Sequence, residues 1–161
     1  MNSTIFTAIA VALFSAVISF LTHYFFKLYD SKSHAQTIQR AIISEISATL
    51  KLIEKRKYSQ FLQECIQELT SGESHKVLAS IEQQQNLFPV YKSNIDKIGA
   101  LNAELASEIV MFYALLESVL VDTNSNGLLS NPDYSNLEAF KETYSILNEA
   151  ITLGKKITKS E

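Results

Sequence analysis

"LNAELASEIVMFYALLESVL", residues 101–120, is the stretch from which the fold is read. Leu105, Ile109, Phe112, Leu116, Val119 and Leu120 line one face at helical spacing, and Val110, Met111, Tyr113 and Leu115 widen it. Asn102 stands where a side-chain oxygen can cap the first turn, and Glu104 meets the positive end of the helix dipole. So broad an apolar surface predicts a central core helix or one that covers a partner.

Immediately downstream lies "DTNSNGLLSNPD", residues 122–133, which fits the frame of a twelve-residue calcium loop. In that frame Asp122, Asn124 and Asn126 supply side-chain oxygens, Gly127 takes the sharp turn, Leu128 offers its carbonyl and Asp133 closes the loop. Against it stand the closing Asp in place of a longer bidentate Glu, only two carboxylates for the ion, and no second such loop. Pro132 also pushes Asn131 out of helical geometry where the exit helix should have begun. A helix–helix loop accounts for the same residues. Asn, Ser and Gly turn the chain, Asn131 caps the final helix, and Pro132 takes its first position. The sequence therefore assigns no metal site and no cofactor here. The last helix runs from about Tyr134 towards Lys159, with Leu137, Phe140, Tyr144, Leu147 and Ile151 inward and Gly154 near its end.

Upstream, Pro89 opens a short helix on which Tyr91, Ile95 and Ile98 share a face, and Gly99 stops it. Tyr91, Asn94 and Asp96 are its candidate surface residues for an interaction, beside a plain turn role. Val77, Leu78 and Ile81 suggest another short helix. Tyr58, Phe61, Leu62, Cys65, Ile66 and Leu69 make an amphipathic helix that Gly72 ends in a left-handed conformation. Ile38, Ile42, Ile46, Leu50 and Ile53 form the stripe of a helix running towards Lys57, with Glu45 among the residues read as lying away from it. Polar "DSKS" at 30–33 is a loosening point before that helix.

At the N-terminal end, "IFTAIAVALFSAVISFLTHYFF", residues 5–26, contains no Asp, Glu, Lys or Arg. As a helix it is roughly 33 Å long, enough to cross a bilayer. A cleaved signal peptide would need a basic start and a small-residue cleavage site, and neither is present. Lys27, Lys32 and Arg40 follow the span and nothing basic precedes it, so the body is expected in the cytoplasm and the N-terminus outside an inner membrane. Within it Ala8, Ala12, Ser15 and Ser19 share one face on which another helix could pack closely.

Composition agrees with this all-α reading. The chain of 161 residues has 4 Gly, 2 Pro and no Trp, which suits long helices with few connections. A net charge of −3 leaves no footprint for nucleic acid. One cysteine, Cys65, excludes an internal disulfide. His23, His34 and His75 are isolated. The stacked pairs Glu64/Glu68 and Glu104/Glu108 read as solvated faces, and Lys55, Arg56 and Lys57 as a wet helix end. Nothing points to an enzyme or a small-molecule substrate.

"FPVYKSNIDKIGALNAELASEIVMFYALLESVL", residues 88–120, resembles a segment of small uncharacterised bacterial proteins with one N-terminal membrane helix and a helical body. The matching residues are Pro89, Tyr91, Asn94, Ile98, Gly99, Leu101, Glu104, Leu105, Ile109, Val110, Phe112, Tyr113 and Leu116. The resemblance covers about a fifth of the chain and implies architecture alone. The expectation is thus a transmembrane anchor (1–29) followed by a cytoplasmic antiparallel bundle of about four to five helices (30–161). Its expected role is that of an interaction or accessory subunit, with another protein or further copies of itself as partner. A calcium- or lipid-responsive protein and a membrane-perturbing one are the alternatives.

Overall fold

The computed structural model describes residues 2–72, 76–80 and 87–159, excepting the side chains of 2–17 and 25–32. Every regular element among them is helical: α1 (Asn2–Lys55), α2 (Tyr58–Ser71), α3 (Pro89–Asn94), a 3-10 helix (Ile95–Ala100), α4 (Ala103–Thr123) and α5 (Leu137–Lys159). The chain divides into two units, Met1–Ile38 and Gln39–Glu161. The division falls after Ile38, the first buried residue of α1 among the described side chains. Helix α1 is unbroken through 30–33, where a loosening was expected. Asp and Ser lower helix propensity by only about half a kcal/mol each, too little to end a helix lacking Gly or Pro.

In the first unit, residues 18–24 are all exposed, among them the large apolar side chains Ile18, Phe20, Leu21 and Tyr24. Among the described residues no helix is long and apolar enough to cross a membrane. The span expected at 5–26 falls largely on side chains outside that set.

The second unit is built around α4. Ile109, Phe112, Tyr113, Leu116, Val119 and Thr123 are buried at spacings of three, one, three, three and four, so one side of the helix is core. Asn102 caps it as expected, its Oδ1 accepting from the Glu104 and Leu105 amides. Helix α5 runs antiparallel to α4. Its early Thr143 bonds to Asp122 at the far end of α4, while its late Lys156 pairs with Glu104 and Glu108 at the near end.

The inward face of α5 is turned relative to the expected one. Ala139, Thr143, Leu147, Ala150, Gly154 and Ile157 are buried with Phe140, whereas Leu137, Tyr144 and Ile151 are half-buried. Small residues lie inward because the neighbouring helix comes close. A Cβ on Gly154 would lie 2.6 Å from Phe112 Cε2 and 3.1 Å from Leu50 Cδ2. Gly154, five residues before the end of α5, is therefore a packing glycine inside the helix.

Between α1 and α2 the helix is broken at Lys57, whose φ of 55° and ψ of 34° are left-handed. That conformation costs a non-glycine residue about 1–2 kcal/mol. Burial of Leu62 and Cys65 and the bond from Ser59 Oγ to Asn148 Oδ1 on α5 hold the joint. Gly72 ends α2 left-handed, as expected. The helix expected around Val77 and Leu78 is absent; 76–80 is irregular, and Ile81 lies outside the described residues. There the Ala79 amide donates to Leu129 O and the Val77 carbonyl accepts from Ser135 Oγ, so the backbone groups a helix would need bind the 124–136 loop instead.

Candidate functional site

Two sites emerge in the second unit, one a polar cluster and the other a cavity beside it. The cluster is centred on Glu45 of α1. Its Oε1 accepts from the Val90 amide at 2.8 Å, and its Oε2 from the Tyr91 amide at 3.0 Å and the Tyr113 hydroxyl at 2.8 Å. The two amides belong to the first turn of α3, where helix N–H groups have no partner of their own, so the carboxylate serves as a cap supplied from another helix. Phe88, just before Pro89, is left-handed (φ 59°), and its buried ring meets Tyr113 edge-on at 5.0 Å. Tyr91 stacks on Tyr113 at 3.9 Å, and Phe112 meets it edge-on at 5.1 Å. Burial, the bond to Glu45 and that carboxylate's charge, together with Tyr91, hold the Tyr113 hydroxyl protonated well above its usual range. The arrangement fixes α3 onto α1 and α4, with every donor facing the carboxylate matched.

The sequence pattern alone places Glu45 off the apolar stripe. It follows Ile38 by seven residues, two helical turns, and so shares its face. That spacing is the signal in the sequence that could have found it.

The cavity, of about 360 Å³, opens between the end of α1, the start of α2, residues 87–89 and the second half of α4. Ala48, Leu52, Ile53, Leu62, Leu116 and Val119 are among its apolar walls, and Glu45, Thr49, Arg56, Tyr58 and Thr123 its polar ones. Thr49 and Thr123 donate to the carbonyls of Glu45 and Val119 on their own helices, which leaves the interior apolar in character. Arg56 stands at the α1–α2 joint.

The residues singled out in the sequence are dispersed. Tyr91 is buried at 7% exposure, so it belongs to the core rather than to a surface, because its ring is needed against Tyr113. Asn94 is half-buried and donates to Val90 O and Ser93 Oγ; Asp96 is exposed. Ala8, Ala12 and Ser15 lie outside the described side chains, and Ser19 is exposed.

In the 122–133 loop two side-chain oxygens of the calcium frame, those of Asp122 and Asn124, hold bonds within the fold. Asp122 Oδ2 accepts from Thr143 Oγ1 at 3.1 Å, and its carbonyl accepts from the Leu129 amide at 2.9 Å. Asn124 Oδ1 accepts from the Asn126 amide, and Asp133 is exposed. Gly127 lacks the positive φ of a sharp-turn glycine; it is needed because a Cβ there would overlap the backbone of Val121 and Asp122. Half-buried Leu128 lies one residue before fully buried Leu129, which anchors the loop. Burial raises the Asp122 carboxyl above its usual range, opposed by the Thr143 bond and aided by Glu142. Among the described residues no three of His, Cys, Asp and Glu gather as a metal site.

Asn131 does not cap α5. Its Oδ1 accepts from the Asp133 amide, and Asn136 takes the capping role through the Ala139 amide at 3.0 Å. The acidic pair Glu104/Glu108 is met by Lys156, and Cys65 is buried with its thiol raised, chiefly by burial.

The class these features define is an all-helical protein whose second unit packs around one central helix. No family model matches the chain, and comparison with curated proteins and with solved structures finds no match.

Proposed function

We propose that this is a single-pass, membrane-anchored helical protein that works as an accessory subunit through protein–protein contact, without catalysis of its own. The observation that carries the proposal is the outer side of α4. Opposite its core face, Val110 (45% exposed), Met111 (51%) and Val121 (61%) are open to solvent with Ala114. Val110, Ala114 and Val121 recur at steps of four and seven, hence along one line of the helix. The exposed pair Lys92–Glu117, 3.7 Å apart, adds polar groups beside it. An apolar helix face with polar surroundings is the usual form of a helix–helix contact between chains. The anchor is supported by the sequence at 5–26 and by the exposed Ile18, Phe20, Leu21 and Tyr24. The partner is accordingly a protein that presents an apolar helix, and the body is assigned to the cytoplasmic side from the flanking lysines and arginine.

The test is affinity purification of the tagged full-length chain from its native membrane, beside Val110→Glu and Val121→Glu. A stoichiometric partner that copurifies with the parent and is lost from both variants, with membrane association and melting unchanged, is the expected result. A partner retained by both variants, or none at all with the parent, overturns the proposal.

A further inference from the structure

The cavity beside Glu45 is not explained by a contact on the outer side of α4, and it has a polarity of its own. At its inner end the Glu45 carboxylate is fully occupied by Val90, Tyr91 and Tyr113. The two threonine hydroxyls donate back to their own helices. At its outer end Arg56 lies on the wall, and its guanidinium makes no hydrogen bond or ion pair among the described residues. Arg56 thus sets a cation on the cavity wall away from the hydrogen-bonded Glu45 carboxylate. The geometry points to a binding site for a single-chain amphipathic carboxylate, of fatty-acid type, with the alkyl chain among Leu52, Leu62, Leu116 and Val119 and the carboxylate on Arg56.

Charge complementarity sets the orientation. An arginine fork matches a carboxylate with two parallel bonds, whereas a carboxylate placed at the inner end would meet Glu45. The volume of about 360 Å³ suits one small ligand. Such a volume is within the range of about 300–1,000 Å³ in which small-ligand sites fall. The flexible, unbranched chain suits walls made of aliphatic side chains from four separate segments.

The experiment uses the full-length chain in lipid nanodiscs, illuminated with dodecanoate carrying a terminal diazirine and, separately, with the matching alcohol. Adducts are mapped by peptide mass spectrometry. The expected result is labelling of peptides containing residues 48–56 and 116–123 by both probes. Arg56→Gln, at an exposed position, should lower labelling by the acid about tenfold or more, the value of a charge-assisted bond, and leave the alcohol nearly unchanged, whereas Leu52→Glu, which sets a charge in the alkyl wall, should lower both. Circular dichroism of both variants establishes that they fold. Labelling confined to the N-terminal segment or the outer side of α4 overturns the site. Equal responses of acid and alcohol to Arg56→Gln, or stronger competition by a lysophospholipid than by dodecanoate, overturns the carboxylate assignment.

Discussion

Gly154→Ala tests the packing at the centre of the second unit, because two opposed effects meet in one methyl group. In an exposed helix interior the substitution stabilises by about 0.5–1 kcal/mol, since alanine has less backbone freedom to lose. Here the new Cβ would stand 2.6 Å from Phe112 Cε2 and 3.1 Å from Leu50 Cδ2. The Phe112 ring is fully buried and held edge-on against Tyr113, so it cannot swing away as the tip of a long side chain would. Overpacking of this kind costs about 1–3 kcal/mol. The net expectation is a loss of about 1 kcal/mol, which lowers the melting temperature by a few degrees for a chain of this size. The assay is urea unfolding followed by circular dichroism, comparing midpoints at constant slope. A second comparison isolates the cause: in a Phe112→Leu background the ring edge is gone, and Gly154→Ala should cost less or become stabilising. If Gly154→Ala stabilises the parent by the full helix-propensity gain, the close approach of α5 to α4 and α1 is wrong.

Glu45→Ala should destabilise by several kcal/mol, because the Val90 and Tyr91 amides and the Tyr113 hydroxyl lose their acceptor at about 1–3 kcal/mol for each group left buried. Glu45→Gln should cost less, and hydrogen exchange at Val90 and Tyr91 should quicken in both. In a phenolate absorbance titration Tyr113 should stay protonated as the pH rises past 10 for as long as the chain is folded. Its folded value lies above the ordinary 10 through burial first and Glu45 next. Its contribution to stability is thus present below pH 10 and is lost as pH rises beyond it, since only the unfolded chain releases the proton. Phenolate signal from every tyrosine before unfolding would refute this. Asp122→Asn should stabilise the chain slightly near neutral pH. The amide keeps an acceptor for Thr143 and removes a charge that burial and Glu142 disfavour. With the folded carboxyl value raised, the parent is penalised once pH exceeds the unfolded value of 3.8, so the advantage should vanish below it. A variant that is less stable at neutral pH would show that the charge itself is needed.

How far the sequence revealed this structure depends on whether a feature was local. The stripe of α1, the core face of α4, the Asn102 cap and the left-handed Gly72 each follow from a few neighbouring residues and were legible. The inward face of α5 was not, because ranking residues by apolarity favours Leu137, Tyr144 and Ile151 over Ala139, Ala150 and Gly154. Close helix contact reverses that order by selecting for small size. The start of α5 slipped from Asn131 to Asn136 for a related reason. Both asparagines can cap, and the choice was made by Leu129 burying itself and drawing the intervening turn with it. The cap on α3 comes from Glu45, 45 residues away in the chain from Val90, so no local pattern around Pro89 contains it. The α2 part of the cavity wall, Tyr58 and Leu62, follows a break at Lys57, a left-handed residue that nothing in its side chain announces.

The two proposals are also separate physically. The cavity's cation, Arg56, stands at the end of α1 beside Leu52 and Ile53, and Leu62 of α2 adds to the apolar wall from beyond the joint. The outer side of α4 owes nothing to the joint. It exists because α4 is apolar around most of its circumference while its described helix partner α5 buries one side. A charge introduced at Val121 should therefore disturb partner capture and leave labelling of the cavity intact, and one at Leu52 should do the reverse. Were either substitution to abolish both, a single surface would have to reach from the outer line of α4 to the α1–α2 joint. The burial of Leu116 and Val119 on the inner side of the same helix argues against that.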